Sequence, residues 1–192
     1  MKPGNRMWPH VAAALAVLVA VAAALAAMGR VWWCRAGDSA LWSADVVSRH
    51  NSQHLADPYT FTHVLHGLLF YAGVWAIFRR VASPVGRAWI AFLIEAAWEV
   101  VENTDAVIAR YRAATISLDY YGDSIANSIS DILAFVLGYW AAGVMPVAVS
   151  VVGFFVVDGI LILWIHDGLL LNVLMLVHPI EAVREFQLRG RG

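Results

Sequence analysis

Residues 8–28 read WPHVAAALAVLVAVAAALAAM, a run rich in alanine and valine that carries no charge and follows Lys2 and Arg6. A bilayer's hydrocarbon core takes about 20 helical residues to cross, whereas the apolar core of a secretory signal peptide covers only about 7–15. The run has the length of a first transmembrane helix, although Ala24-Leu25-Ala26 imitates a cleavage site. On length it reads as an uncleaved crossing, and sequencing the N-terminus of the mature chain separates the two readings.

The rest of the chain is of the same kind. Its 192 residues are 61% hydrophobic and 14% charged, with a mean hydropathy of +0.67, whereas a soluble domain carries roughly a quarter charged residues. The expected fold class is all-α, a polytopic transmembrane bundle of about five to six membrane-spanning helices. It forms one integral membrane domain over residues 1–192, with a first crossing at 8–28, an external loop at 29–58 and a helical bundle at 59–183. The lipid bilayer is the partner this composition names. A net charge of −1 and the lack of a long basic cluster exclude nucleic acid.

Within the bundle, a second crossing at 59–78 closes on Arg79-Arg80, and Ser83-Pro84 with Gly86 marks a turn into a third at 88–109. A linker at 110–118 leads to a fourth crossing at 120–142 and then a fifth at 147–165. The last apolar run, 169–177, is either a sixth crossing extended through Pro179 or a re-entrant segment. With six crossings, Lys2, Arg6, Arg79, Arg80, Arg87 and the basic tail share one side, which places both termini in the cytoplasm. Arg30, Arg35, Arg49, Arg110 and Arg112 oppose that count from the other side. Trp32, Trp33 and Trp42 in the external loop suit a membrane interface, and the single cysteine, Cys34, has no internal disulfide partner.

A charged side chain at mid-bilayer costs on the order of 3 kcal/mol, so each one inside a crossing needs a partner or a purpose. His63 and His66 share one face of the second helix, and Glu95, Glu99 and Glu102 form a stripe on the third. Asp119, Asp123, Asn127 and Asp131 follow at steps of four on the fourth, while Asp158 and His166 belong to the fifth. The alternating helix directions bring His63, His66, Glu99, Glu102, Asp119, Asp123, Asn127 and His166 to one depth, where they are expected to share a water-reachable pocket. The candidate catalytic residues are Glu99, Glu102, Asp119, Asp123 and Asn127. His63 and His66 are candidate ligands for a divalent metal. The competing reading is that these groups bond helix to helix without any chemistry.

Several strings carry a resemblance: Asp57 to Leu68, the run Ile94-Glu95-Ala96-Ala97-Trp98-Glu99-Val100-Val101-Glu102-Asn103-Thr104, the block Asp119 to Ser128, and Asp167-Gly168-Leu169-Leu170-Leu171-Asn172. Together they resemble an uncharacterised bacterial membrane family, uncharacterised protein family 0314 or domain of unknown function 2585. That resemblance implies a multi-pass protein of the bacterial plasma (inner) membrane and brings no activity with it. More faintly, the spacing of Asp119, Asp123, Asn127 and Gly138 is similar to that of VanZ-like membrane proteins, from which it departs at His63, His66 and Glu102. Three functions stay open on this reading, so no enzyme assignment is made. They are an intramembrane enzyme acting on a lipid or lipid-linked ligand near the outer leaflet, a small proton-coupled transporter, and an envelope assembly subunit.

Overall fold

A computed structural model describes residues 7–114 and 120–189. Its described residues form eight helices and no β-strand: α1 (Trp8–Ala27), α2 (Thr60–Phe78), α3 (Pro84–Glu102), α4 (Asp105–Ala114), α5 (Ile125–Val144), α6 (Val147–Ile165), α7 (Leu169–Val177) and α8 (Glu181–Arg189). Four of them, α1, α2, α5 and α6, are long and apolar enough to cross a membrane. The 19-residue α3 matches them in length and packs among them, but it carries Arg87, Glu95, Glu99 and Glu102. The last apolar run folds as the nine-residue α7, about 13 Å long at 1.5 Å per residue and too short to span.

Local chemistry sets the helix ends. Ser83 caps α3, its Oγ accepting from Gly86 N at 3.1 Å, and Pro84 occupies the first turn, where a missing N–H costs nothing. The third helix was expected to run to 109, yet it stops at Glu102. Asn103 turns its Nδ2 back to the Glu99 carbonyl, and Thr104 opens α4 with Asp105 in the first turn, an N-terminal signature that restarts the chain in a new direction. The fourth crossing was expected from Tyr120, but α5 begins at Ile125, capped by Ser124 Oγ accepting from Asn127 N at 3.1 Å. Asp123 therefore lies in an extended segment, so the expected Asp123-Asn127-Asp131 stripe is not one helical face.

The axis of the bundle is the α2–α5 contact. A Cβ added at Gly67 would collide with the Phe135 carbonyl, and one added at Gly138 with the Val64 carbonyl, so only hydrogen side chains let the two backbones touch. Around this pair, α1, α3 and α5 bury Val21, Leu25, Ala96, Ile125 and Ile132. Nearer the 79–84 turn, Phe70, Val74, Ala91, Phe135 and Tyr139 fill the space between α2, α3 and α5. At one end of the bundle lie the 79–84 and 145–146 turns. The opposite end gathers the 28–59 loop, α4, the segment before α5, and α7 with α8.

The termini were expected on one side. Instead, the start of α1 lies beside the start of α3, with Trp89 Nε1 donating to His10 Nδ1 at 3.0 Å. At the other end, α8 docks on the corner after α6, where Gln187 Nε2 donates to Asp167 Oδ1 at 2.9 Å. The first and last described residues thus occupy opposite ends, because α7 fails to return the chain across the bundle.

Gly138→Ala is expected to force α2 and α5 apart and to lower stability by roughly 1–3 kcal/mol, the usual cost of overpacking a tight contact. Gly153→Ala, at a position open to its surroundings, should leave stability unchanged. The melting midpoint of detergent-purified protein, followed by size-exclusion fluorescence, compares the two.

Candidate functional site

One turn into α2, His63 Nδ1 lies 2.8 Å from Glu95 Oε1 and 3.3 Å from Glu99 Oε1. One turn further on, His66 Nδ1 lies 3.2 Å from the same Glu95 oxygen, and the two imidazoles meet edge to face with centroids 5.1 Å apart. From α5, Asp131 Oδ2 approaches His63 Nε2 to 3.9 Å. Glu95 and Glu99 are fully buried, and neither Glu99 oxygen has a hydrogen-bond donor among the described residues. Two ligand sets converge on His63: His63 with His66 and Glu95, and His63 with Glu99 and Glu102. Either has the donors for a divalent cation, since imidazole nitrogen and carboxylate oxygen are ordinary ligands for zinc.

Toward the loop end, Asn103 organises a second acidic group. Its Nδ2 donates to Asp123 Oδ2 at 2.8 Å, and its Oδ1 accepts from Asp123 N at 2.7 Å, which fixes the segment ahead of α5 against the end of α3. The Tyr120 hydroxyl donates to Asp123 Oδ1 at 2.8 Å, and the Tyr111 hydroxyl donates to Glu102 Oε1 at 2.9 Å. Burial raises the Asp123 pKa, with the Tyr120 and Asn103 hydrogen bonds pulling against it. Burial likewise pushes the Tyr111 and Tyr120 phenols well above the usual tyrosine range.

These groups line one end of a cavity of about 730 Å³. His63, His66, Glu102, Tyr111, Tyr120, Asp123 and Asp131 make its polar end, and Leu69, Phe70, Ile94, Trp98, Leu170 and Val173 make its walls. Leu69, Ile94, Leu170 and Val173 are about half exposed on the outer face of the bundle, so the cavity opens sideways between α2, α3 and α7. The 28–59 loop roofs it. Ser52 O accepts from Ser124 N at 2.9 Å, Gln53 Nε2 donates to Gly122 O at 2.8 Å, and Asp57 Oδ2 accepts from Ser52 N at 3.0 Å.

Of the residues expected to share a pocket, His63, His66, Glu102 and Asp123 line the cavity, whereas Glu99 touches His63 but is fully buried and is not among the lining residues. Asn127 is buried on α5 behind the cavity wall, and both of its side-chain polar atoms lack partners among the described residues. Asp119 lies outside the described residues. His166 does not join the group. It turns the chain out of α6 in a left-handed conformation and packs against Phe186, centroids 5.2 Å apart. Asp158 instead supports the corner beneath Gly168, where an added Cβ would fall 2.6 Å from its Oδ1.

The sequence pattern of a family described as "Protein of unknown function (DUF2585)" matches residues 25–189. The chain belongs to the DUF2585 family. Its relatives include a UPF0314 protein of Paracoccus denitrificans (strain Pd 1222), 51% identical over 171 residues that cover 89% of this chain and 88% of the relative. A UPF0314 protein of Rhizobium meliloti (strain 1021) is 49% identical, covering 83% and 81% of the two chains. One from Brucella anthropi is 40% identical, covering 97% and 94%. No solved structure matches this DUF2585 chain. These matches bear out the UPF0314 resemblance and lend nothing to the VanZ-like one.

Sequence reasoning did not select Asn103, Tyr111, Tyr120, Ser52 or Asp57 as site residues. Asn103, Tyr120 and Asp57 stand inside the strings that carry the family resemblance. The two tyrosines and Ser52 carry no spacing signal, since the chain brings them to the cavity from a short helix and from loops. Asp167, also outside the spans, is buried at the corner with Tyr59, Asn172 and Gln187 donating to it. Burial outweighs those donors and raises its pKa to about 6. A carboxyl whose folded pKa lies above its unfolded value binds more protons when folded, so its contribution is full below about 4 and is lost as pH rises through about 6. The melting midpoint should therefore climb as pH falls through that window, with a smaller climb in Asp167→Asn, measured in one detergent at constant ionic strength.

Proposed function

We propose that this chain is an intramembrane enzyme of the bacterial inner membrane that acts on the polar head of a lipid or lipid-linked substrate. One observation carries the reading: a cavity of about 730 Å³ whose apolar walls open sideways and whose closed end is lined by imidazoles and carboxyls. An amphiphile fits that gradient, its chains lying along Leu69, Ile94, Leu170 and Val173 and its head reaching Glu102, Asp123 and His63. Asp123 and Glu102, each receiving a tyrosine hydroxyl hydrogen bond, are placed to act as acid and base on a head group. His63, His66 and Glu95 would hold a divalent cation there, which would polarise a phosphoryl or carbonyl oxygen.

A transporter needs the polar path to continue across the membrane. Phe70, Val74, Ala91 and Phe135 fill the axis beyond Glu95 and Asp131, which speaks for a blind pocket. Against an assembly role for the loop tryptophans, Trp42 stacks on Trp164 with centroids 6.3 Å apart, and Trp33 Nε1 donates to Asp38 O at 3.0 Å. These contacts engage the two rings in part, while Trp42 stays 42% and Trp32 67% exposed.

Lipid profiling tests the reading. A deletion strain should accumulate one head-group class, wild-type protein should clear it, and Asp123→Asn at equal abundance should not. Restoration of the wild-type profile by Asp123→Asn would remove Asp123 from the chemistry, and an unchanged profile in the deletion strain would remove the enzyme reading.

We also propose that the 79–84 turn, with Arg79, Arg80 and nearby Arg87, faces the cytoplasm, which puts the cavity at the outer leaflet. A reporter fused after the last residue should then score as external, and a cytoplasmic signal would invert the orientation.

A further inference from the structure

The loop between α1 and α2 contains an isolated bridge, Trp42 to Ala56, and no other regular pairing among its described residues. It nevertheless buries Cys34 and His54, the latter completely. Such a segment normally needs a cross-link to hold its shape. The chain has a single cysteine, so no internal disulfide can provide one.

Four donor atoms converge inside this loop. Cys34 Sγ lies 3.5 Å from His50 Nδ1, and His50 Nδ1 lies 3.2 Å from His54 Nε2. Asp38 Oδ2 lies 3.8 Å from His50 Nδ1 and 3.9 Å from His54 Nε2. His54 Nδ1 faces the Ala40 carbonyl at 2.7 Å and carries the proton there, which leaves the Nε2 lone pair turned toward His50 and Asp38.

We infer that Cys34, Asp38, His50 and His54 form a structural zinc site. With Zn–S near 2.3 Å and Zn–N near 2.0 Å, a tetrahedral ion separates sulfur from nitrogen by about 3.5 Å and nitrogen from nitrogen by about 3.3 Å. The Cys34–His50 and His50–His54 separations of 3.5 Å and 3.2 Å match those values, whereas Asp38 Oδ2, at 3.8 Å and 3.9 Å from the two imidazole nitrogens, stands outside the Cys34–His50–His54 group and must close in to be the fourth ligand. Supporting contacts already orient the ligands. Ala40 N holds Asp38 Oδ1 at 2.9 Å and leaves Oδ2 facing inward, and the His54–Ala40 bond fixes the tautomer that ligates through Nε2. Gly37, at φ +79°, makes the tight turn that brings Asp38 back beside Cys34, and its amide donates to the Cys34 carbonyl at 3.2 Å. A thiolate, two imidazoles and a carboxylate suit zinc better than calcium or magnesium, which prefer all-oxygen sites.

The ion would tie residues 34–38 to residues 50–54. The second of these segments presents Ser52 and Gln53 to the chain ahead of α5, so the site braces the cavity roof while standing apart from the His63 cluster.

The test uses full-length protein in detergent, stripped with a chelator under reducing conditions and titrated with Co²⁺. Wild type should develop a sulfur-to-cobalt charge-transfer band with tetrahedral d–d bands, the charge-transfer band saturating at one equivalent at this site whatever cobalt the His63 cluster takes, and zinc should then bleach it. Only Cys34 can give that charge-transfer band. Cys34→Ser should lose it, and His54→Ala should weaken binding at this site by at least about tenfold. His66→Ala, a cavity variant, should keep both the band and the affinity. Wild type without the charge-transfer band, or a band whose affinity is unmoved in His54→Ala, would overturn the site. Wild type without the band overturns the site by itself, so a variant that fails to fold does not shield the site from that result.

Discussion

The imidazole of His63 sits 2.8 Å from Glu95 and 3.3 Å from Glu99, and the bundle is arranged around holding that contact. In an apolar interior an isolated ionised carboxylate is costly, while a carboxylate paired with a donor or a cation is tolerated. The pairing fixes the spacing of α2 and α3. The glycine contact of Gly67 and Gly138 fixes α2 against α5, and this second constraint carries Asp131 to the far nitrogen of the same ring. Loosening either contact would separate the acids from the histidines, so the packing and the candidate chemistry rest on the same few ångströms.

Polar residues outside the apolar spans then build the open end. Asn103 is the hinge of that construction, because its amide satisfies the last turn of α3 and both the main chain and the side chain of Asp123. Arg110, from α4, donates to the Leu176 carbonyl at 2.9 Å and so engages the free C-terminal end of α7. By these bonds α4 and α7 stand beside the cavity although neither is long enough to anchor itself across a bilayer.

The long apolar helices were legible in the sequence almost to the residue. The runs at 8–28, 59–78 and 147–165 reappear as Trp8–Ala27, Thr60–Phe78 and Val147–Ile165, because uninterrupted hydrophobicity over a fixed length has one solution in a membrane. The stretch from Glu102 to Ile125 was not legible. There polarity no longer reports depth, and a capping threonine and serine decide where helices break. Asn103-Thr104-Asp105 holds the cap residues in the sequence, but a third crossing over 88–109 takes no account of them. The meeting of His63 and His66 with Glu99, Glu102 and Asp123 followed from helix direction and depth alone. The four donors around His50 did not, since loop closure in space leaves no period in the chain, and the single cysteine looked inert.

Beyond Glu95 and Asp131 the axis is packed with Phe70, Val74, Ala91 and Phe135. A bacterium stores energy as a gradient of hydrogen ions across the membrane that such helices cross, and a continuous file of titratable groups would short-circuit it. Seated in the inner membrane as proposed, the layer of Phe70 and Phe135 with Val74 and Ala91 would let a cell keep buried carboxyls there without draining that gradient.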